Sequence, residues 1–395
     1  MISNRRGPVA ALLALAVTLP LVQTAVAAPA AESAPVAREA AARKVELPRP
    51  TGPHTVGVST LRLTQPGRPD PWVPEAGARQ TLATLHYPAA AGTGGGARPY
   101  VTLDEARALA EHLGPEAIPP GSEGPLAATR SWARQEARPV HGKFPLVVLS
   151  PGFGAPRSSQ THLAEDLASR GYVVASVDHA YESAASAFPG RGVLPCVACV
   201  KAENGEISYA DVTRERAKDV SYLLDRLTGP RSVWKHSGTI DARKIGMAGH
   251  SIGGASAAHT MATDARVDAG INMDGSFFIP IPAGGLDGRP FLLLGAGDSG
   301  PGSGDASWDE GWRQLSGWKR WLSVRGSGHG DFSDLPVLTD ALGAPRAPGT
   351  LPGDRMSRIN RTYAAAFFDR HLKGAPRPVL NGPTAAHPEV VFHAP

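Results

Sequence analysis

Apolar and polar positions along this chain alternate between two periods. Val56 to Leu63 and Thr81 to Tyr87 switch character at nearly every residue, the pattern of half-buried antiparallel strands. Residues 88 to 100 are rich in Gly, Ala and Pro and read as loop. Thr102-Leu-Asp-Glu105 has the form of a capping box and predicts a short helix with Ala106, Leu109, Ala110 and Leu113 on one face. Beyond it, apolar runs predict strands at Leu146 to Leu149, Tyr172 to Val177, Lys244 to Ala248, Val267 to Met273, Phe291 to Leu294 and Trp321 to Val324. Helical spacing falls between and after them. Gln160 to Ser169 sets Leu163 and Leu167 four apart, Arg214 to Leu227 aligns Ala217, Val220, Leu224 and Leu227, and Ile359 to Leu372 carries Tyr363, Phe367 and Phe368. Repeated strand–helix units predict an α/β fold with a mostly parallel central sheet covered by helices on both faces.

The ends of the chain modify this picture. Arg5 and Arg6 precede an apolar run from Val9 to Val22, and Ala25-Val26-Ala27 supplies a small-residue cleavage pattern. Residues 1–27 therefore read as a secretory signal peptide, with export by the general or the twin-arginine route. The run falls short of the roughly 20 apolar residues that a spanning helix needs. Residues 28–50, rich in Ala, Pro and charge, read as a disordered linker. Residues 51–395 form one domain, and the expected location is secreted, extracellular or periplasmic.

Charge narrows the chemistry. The formal net charge of +4 falls to +2 once the signal segment is removed. With no basic stripe interleaved with aromatics and no phosphate-cradling loop, the sequence offers no case for a nucleic-acid partner. Cys196 and Cys199 are too few to complete a zinc site. They sit beside Pro195 without the helix-opening context of a redox pair, so the expectation is a short-range disulfide stiffening a loop.

The strongest local motif is G-H-S-I-G, residues 249 to 253. A buried strand is predicted immediately before it and a helix of small residues immediately after, which is the strand–turn–helix context of a nucleophile elbow. Gly249 and Gly253 have no Cβ to collide across so sharp a turn. Ser251 is thus the candidate nucleophile of an α/β-hydrolase fold. A serine needs a histidine to take its proton, and the histidine needs a carboxylate. His259 lies too close on the following helix, His371 sits in the terminal helix, and His387 and His393 fall in a polar tail. His329, in V-R-G-S-G-H-G-D-F directly after a strand, is the candidate base. Two carboxylates compete for the third position: Asp274 in I-N-M-D-G and Asp298 in L-L-L-G-A-G-D, each at a strand end. From the residues alone both remain open.

The order Ser251, Asp274, His329, with intervals of 23 and 55, occurs in the strings G-H-S-I-G-G, N-M-D-G-S-F-F and R-G-S-G-H-G-D-F-S-D. This combination resembles the platelet-activating-factor acetylhydrolase family of α/β-hydrolases, more narrowly its secreted bacterial members. The resemblance runs from about residue 51 to the end and implies Asp274 as the acid. The 31-residue interval from Asp298 to His329 resembles instead the arrangement in bacterial cutinase-like polyester hydrolases.

The strand Leu146 to Leu149 leads into S-P-G-F-G-A, where this fold draws one oxyanion N–H, the other coming from the residue after the nucleophile. Phe153 and Ile252 are the candidates. The loop from Asp178 to Gly192 is expected to shape the substrate pocket with Tyr181 and Phe188. Trp308, Trp312 and Trp318 read as core packing, with a transient seat on a lipid interface as the alternative. The reading is a carboxylic-ester hydrolase needing no metal or organic cofactor. The resemblance implies short-chain acyl esters or short-acyl or oxidised phospholipids as substrates. A cutinase-like lipase using Asp298, and a hydrolase-fold protein that binds without cutting, are the alternatives.

Overall fold

The computed structural model describes residues 45–394. The expected signal peptide, 1–27, and residues 28–44 of the expected linker lie outside them. Residues 45–50 differ from expectation. Val45 and Leu47 are buried against Tyr100, Leu126 and Leu338. Leu47 N–H donates to the Arg130 carbonyl at 3.0 Å, and Arg130 N–H donates to the Val45 carbonyl at 2.9 Å. Alternating apolar side chains and strand-type bonds fasten this stretch to the domain. The Ala- and Pro-rich composition around it concealed the two anchors.

The alternating segments form a long antiparallel ribbon, β1 (Thr55–Pro69) with β2 (Ala78–Ala89). Two strands that the pattern did not reveal, β3 (Ala97–Pro99) and β4 (Arg130–Gln135), extend its outer edge. The continuous apolar runs become β5 (Phe144–Ser150) and β6 (Val173–His179). A small separate ribbon follows, β7 (Ser186–Phe188) with β8 (Gly192–Leu194). The remaining strands are β9 (Ile240–His250), β10 (Ala269–Met273), β11 (Phe291–Gly295), β12 (Lys319–Val324) and β13 (Val390–His393). The main sheet has the order β13-β12-β11-β10-β9-β5-β6-β2-β1-β4-β3. Its centre, β12 to β6, is parallel throughout. β13 corrects the reading of a polar tail: Val390 and Phe392 alternate with Val391 and His393, and the segment caps the sheet antiparallel to β12.

Helices cover both faces because both faces of the central strands are apolar. On one side, Leu163 and Leu167 of the helix Thr161–Ser169 pack with Tyr363, Phe367 and Phe368 of the helix Gly353–Lys373. On the other lie the helices Tyr209–Thr228, Ile252–Thr263 and Ala306–Gln314. The Thr102 capping box forms as expected and opens the helix Leu103–Leu113. No helix among the described residues is long and apolar enough to cross a membrane.

The chain runs from β5 outward to β6, then returns across β5 to β9 and proceeds the other way. Strand order therefore reverses between β5 and β9, where the loops leaving their carboxyl ends diverge and open a crevice. The G-H-S-I-G turn leaves β9 there and the S-P-G-F-G loop leaves β5.

Leu47 offers a test of the added N-terminal strap. Leu47→Ala is expected to cost about 2–5 kcal/mol in urea unfolding. Glu46→Ala, whose exposed side chain pairs only with Arg130, should cost less than about 1 kcal/mol.

Candidate active site

Ser251 occupies φ 56°, ψ −128°, a conformation that side chains rarely adopt. The turn closes because glycines surround it. A Cβ on Gly253 would stand 2.0 Å from the Ser150 carbonyl oxygen, and one on Gly249 would stand 2.2 Å from the Gly253 carbonyl carbon. The turn points the hydroxyl into a cleft of about 940 Å³.

His329 opens a short 3₁₀ turn (His329–Phe332) after β12. Its Nε2 lies 3.0 Å from Ser251 Oγ and its Nδ1 2.7 Å from Asp274 Oδ2. Asp274 accepts at its other oxygen from the Ala296 N–H at 2.7 Å and the Ser299 hydroxyl at 2.6 Å. Burial alone would raise the Asp274 carboxyl, but the bonds from His329, Ala296 and Ser299 hold it below its usual value. An ionised Asp274 in turn raises the His329 imidazole: its hydrogen bond outweighs the desolvation, and its charge and that of Asp298 add to it. Nδ1 therefore carries the proton that Asp274 accepts, which leaves Nε2 bare toward the serine.

Asp298, the competing carboxylate, is exposed on the cleft wall and makes no hydrogen bond to His329. The backbone separates the two. Asp274 follows β10 directly, at φ 56°, and its own N–H is held by the Leu294 carbonyl of β11 at 3.0 Å. Asp298 stands three residues beyond the end of β11, past a turn.

Phe153 and Ile252 both line the cleft beside Ser251. Ile252 is the first residue of its helix, so its N–H has no acceptor within the helix. Among the described residues, neither N–H has a partner. The loop carrying Phe153 is braced from below: Gly154 N–H donates to the Glu182 carbonyl at 3.1 Å, and Arg216 Nη1 donates to the Pro151 carbonyl at 2.5 Å. Arg216 is itself paired with the Glu182 carboxylate at 2.7 Å. Arg79 joins Glu182 to Asp219 and Asp70, and Asp219 also accepts from His179. His179, Glu182 and Asp219 bring ligand-type atoms within 4.8 Å of one another. The two arginines already neutralise those carboxylates, so the cluster is a buried ion-pair network.

Several contributors escaped the sequence reading. His250, the second letter of G-H-S-I-G, is buried with Nε2 2.7 Å from the His329 carbonyl and its ring 4.7 Å from the His329 ring. A carbonyl only accepts, so Nε2 carries the proton. Burial, helped by His329, lowers the His250 pKa to about 4. It is therefore a neutral brace for His329. Ser299 was missed because nothing in its string marks it. The pocket wall was misjudged. Tyr181 and Phe188 are buried behind the cleft, in a cluster with Trp72, Leu82 and Ile252. Tyr209 and Phe278 form the wall, with ring centroids 4.9 Å apart and Phe153 5.6 Å from Tyr209. Trp308 is buried at the cleft floor, where its Nε1 donates to the Gly275 carbonyl at 2.6 Å. Trp312 packs on Trp321, and Trp318 on Phe367 and His371. The cysteines form a disulfide, but Cys196 caps the helix Val197–Glu203 and does not lie mid-loop.

A mostly parallel sheet with Ser251 on a strained strand–helix turn at the switch point is the architecture of an α/β-hydrolase. The family model described as "Platelet-activating factor acetylhydrolase, isoform II" matches residues 39–220. A probable 1-alkyl-2-acetylglycerophosphocholine esterase of Arthroderma benhamiae is 28% identical over 278 residues, 64% of this chain and 66% of that protein. The platelet-activating factor acetylhydrolase of Cavia porcellus is 26% identical over 229 residues, 51% of this chain and 50% of that protein. These alignments thus span between half and two thirds of the curated relatives' lengths. A solved ferulic acid esterase from Streptomyces cinnamoneus is 43% identical with a TM-score of 0.76, covering 89% of this chain and 100% of that one. Over the matched residues the chain is similar to the platelet-activating factor acetylhydrolase family of carboxylic-ester hydrolases.

The His329 ring supplies a direct measurement. In an NMR titration its imidazole is expected to titrate above 6.5, the ordinary histidine value, and to fall in Asp274→Asn. Asp298→Asn should move it by a smaller amount, because Asp298 acts only through space.

Proposed function

We propose that this chain hydrolyses small carboxylic esters by acyl transfer through Ser251. The observation that carries the proposal is the unbroken chain Ser251 Oγ–His329–Asp274, at 3.0 and 2.7 Å, ending in a cleft that holds two free N–H groups. His329 Nε2 takes the serine proton as Oγ attacks the ester carbonyl. Asp274 keeps the imidazole in the required tautomer and stabilises its charge. The Phe153 and Ile252 N–H groups receive the oxyanion, aided by the positive end of the helix Ile252–Thr263. Protonated His329 then gives its proton to the departing alcohol. Water deprotonated by the same ring releases the acid and restores Ser251.

The cleft lining favours some esters over others. Phe153, Tyr209, Phe278 and Trp308 offer flat apolar surface, while Asp274, Asp298 and Asp305 supply negative charge with no Lys or Arg beside them. An anionic phosphate would meet no cation there. Short-chain or aromatic acyl esters with neutral or cationic alcohol parts suit this lining, in line with the ferulic acid esterase relative. Short-acyl phosphocholine esters suit it less. The signal-peptide reading of residues 1–27, together with the Cys196–Cys199 disulfide, supports action in an oxidising compartment outside the cytoplasm.

Kinetics on p-nitrophenyl acetate, p-nitrophenyl esters of longer acids, methyl ferulate and a short-acyl phosphocholine test the proposal. Ser251→Ala should lower kcat/KM by at least about 10⁴-fold, and Asp274→Asn by about 10⁴-fold. Asp298→Asn should cost less than about tenfold, since it alters only a screened charge. Activity should fall as pH drops through the raised His329 pKa, because the protonated ring cannot accept the serine proton. A protein that only binds would leave Ser251 unlabelled by a fluorophosphonate, and a cutinase-like triad would reverse the two aspartate results.

A further inference from the structure

A second cavity, of about 430 Å³, opens beside β1 and β2 near the outer edge of the sheet and shares no lining residue with the Ser251 cleft. From its side chains we infer a binding site for a small oxyanion, a carboxylate or a phosphate, with Arg98 as the principal contact.

Arg98 reaches into this cavity and donates Nη1 to the hydroxyls of Thr60, at 2.8 Å, and Thr84, at 3.3 Å. Among the described residues no carboxylate lies within ion-pair distance of it. Arg157 donates Nε to the same Thr84 hydroxyl at 2.9 Å, which brings two guanidinium groups around one oxygen. The Arg157 charge is committed to Asp178, which is fully buried. Two carboxylates also line the cavity, but neither is free to take Arg98. Glu105 accepts at Oε2 from the Thr102 N–H and hydroxyl and at Oε1 from the Ala187 N–H, so it attracts Arg98 only from a distance. Glu136 stands exposed, paired with Lys235.

His86 adds an independent sign. It is 3% exposed on β2, lines the same cavity, and its Nδ1 has no hydrogen-bond partner. Burial, reinforced by the Arg98 and Arg157 charges, lowers the His86 pKa to about 3. The ring is therefore neutral, and an N–H is available for donation. An oxyanion bound here would pair the forked Arg98 guanidinium and accept from His86.

Calorimetric titration of the full chain with sodium acetate and, separately, with sodium phosphate tests the site, with sodium chloride at matched ionic strength as control. Saturable one-to-one binding of either anion is expected, with a matching rise in Tm. Acetate alone would mark a carboxylate site, and phosphate alone a tetrahedral-oxyanion site. Arg98→Met should weaken binding by about tenfold or more. Because it removes a half-buried cation that no carboxylate pairs directly, its Tm in anion-free buffer should match or exceed the wild-type value. Arg98→Lys, which keeps the charge and loses the fork, should bind with intermediate affinity. The inference is overturned if the wild-type chain responds to neither anion beyond chloride, or if both variants bind as tightly as wild type.

Discussion

The rest of the site depends on one constraint, the close approach of the helix Ile252–Thr263 to the strands beneath it. Ser251 can keep its unfavourable backbone conformation, at a cost on the order of 1–3 kcal/mol, only if its surroundings leave no alternative. The surroundings are backbone. Ser251 N–H donates to the Met273 carbonyl at 2.8 Å, and its carbonyl accepts from Gly254 N–H at 2.8 Å. On the next strand, Asn272 bonds both the N–H and the carbonyl of Gly275, holding that glycine where a Cβ would fall 1.9 Å from the Ser251 carbonyl oxygen. Asp274 sits between those two residues. The bracket that keeps the serine strained therefore also fixes the direction of the carboxylate, and the two are set by a single piece of local packing.

His329 is held differently. The His329 side chain is 58% exposed, whereas Asp274 is 9% exposed. A loop imidazole so open to water would wander without backbone restraint, and the His250 bond to its carbonyl supplies one. The loop carrying Phe153 is restrained by charge. Glu182 is buried, yet Arg216 and Arg79 keep its carboxyl below the usual value against the desolvation that would raise it. Removing one partner of such a network strands the others in a medium of low dielectric. Its stability is therefore coupled to the position of Pro151 and Gly154, and hence to the Phe153 N–H.

Much of this was legible in the sequence, for identifiable reasons. The parallel strands announced themselves as apolar runs because helices bury both of their faces. Ser251 was legible because an elbow needs glycines at fixed offsets, and His329 because it follows a strand in the right order. Asp274 and Asp298 were indistinguishable by such rules. Both follow neighbouring strands, and only the left-handed conformation at Asp274, invisible in the string, turns its carboxylate to the histidine. The resemblance pointed to the residue that the geometry brings to His329. The pocket wall was misread because Tyr181 and Phe188 lie in the loop leaving β6, whereas Tyr209 and Phe278 come from segments distant in sequence. The strap at Val45 and Leu47 and the edge strand β13 were missed because short alternating segments carry little signal outside a sheet that already exists.

The two cavities differ in their charged groups. The Ser251 cleft carries Asp274, Asp298 and Asp305 with no Lys or Arg in its lining, and the Arg98 cavity carries a guanidinium that no carboxylate pairs directly. On the acyl-transfer reading this division has a kinetic consequence. The ester enters the cleft neutral at its reacting end, but the acid leaves as a carboxylate, so repulsion begins only after the final bond breaks. At 4 Å in water one such charge pair is worth about 1 kcal/mol. That is enough to shorten the product's stay several-fold without weakening substrate binding. The negative wall thus acts on the product and spares the ester, which gives Asp298 a physical role even though it does not touch His329.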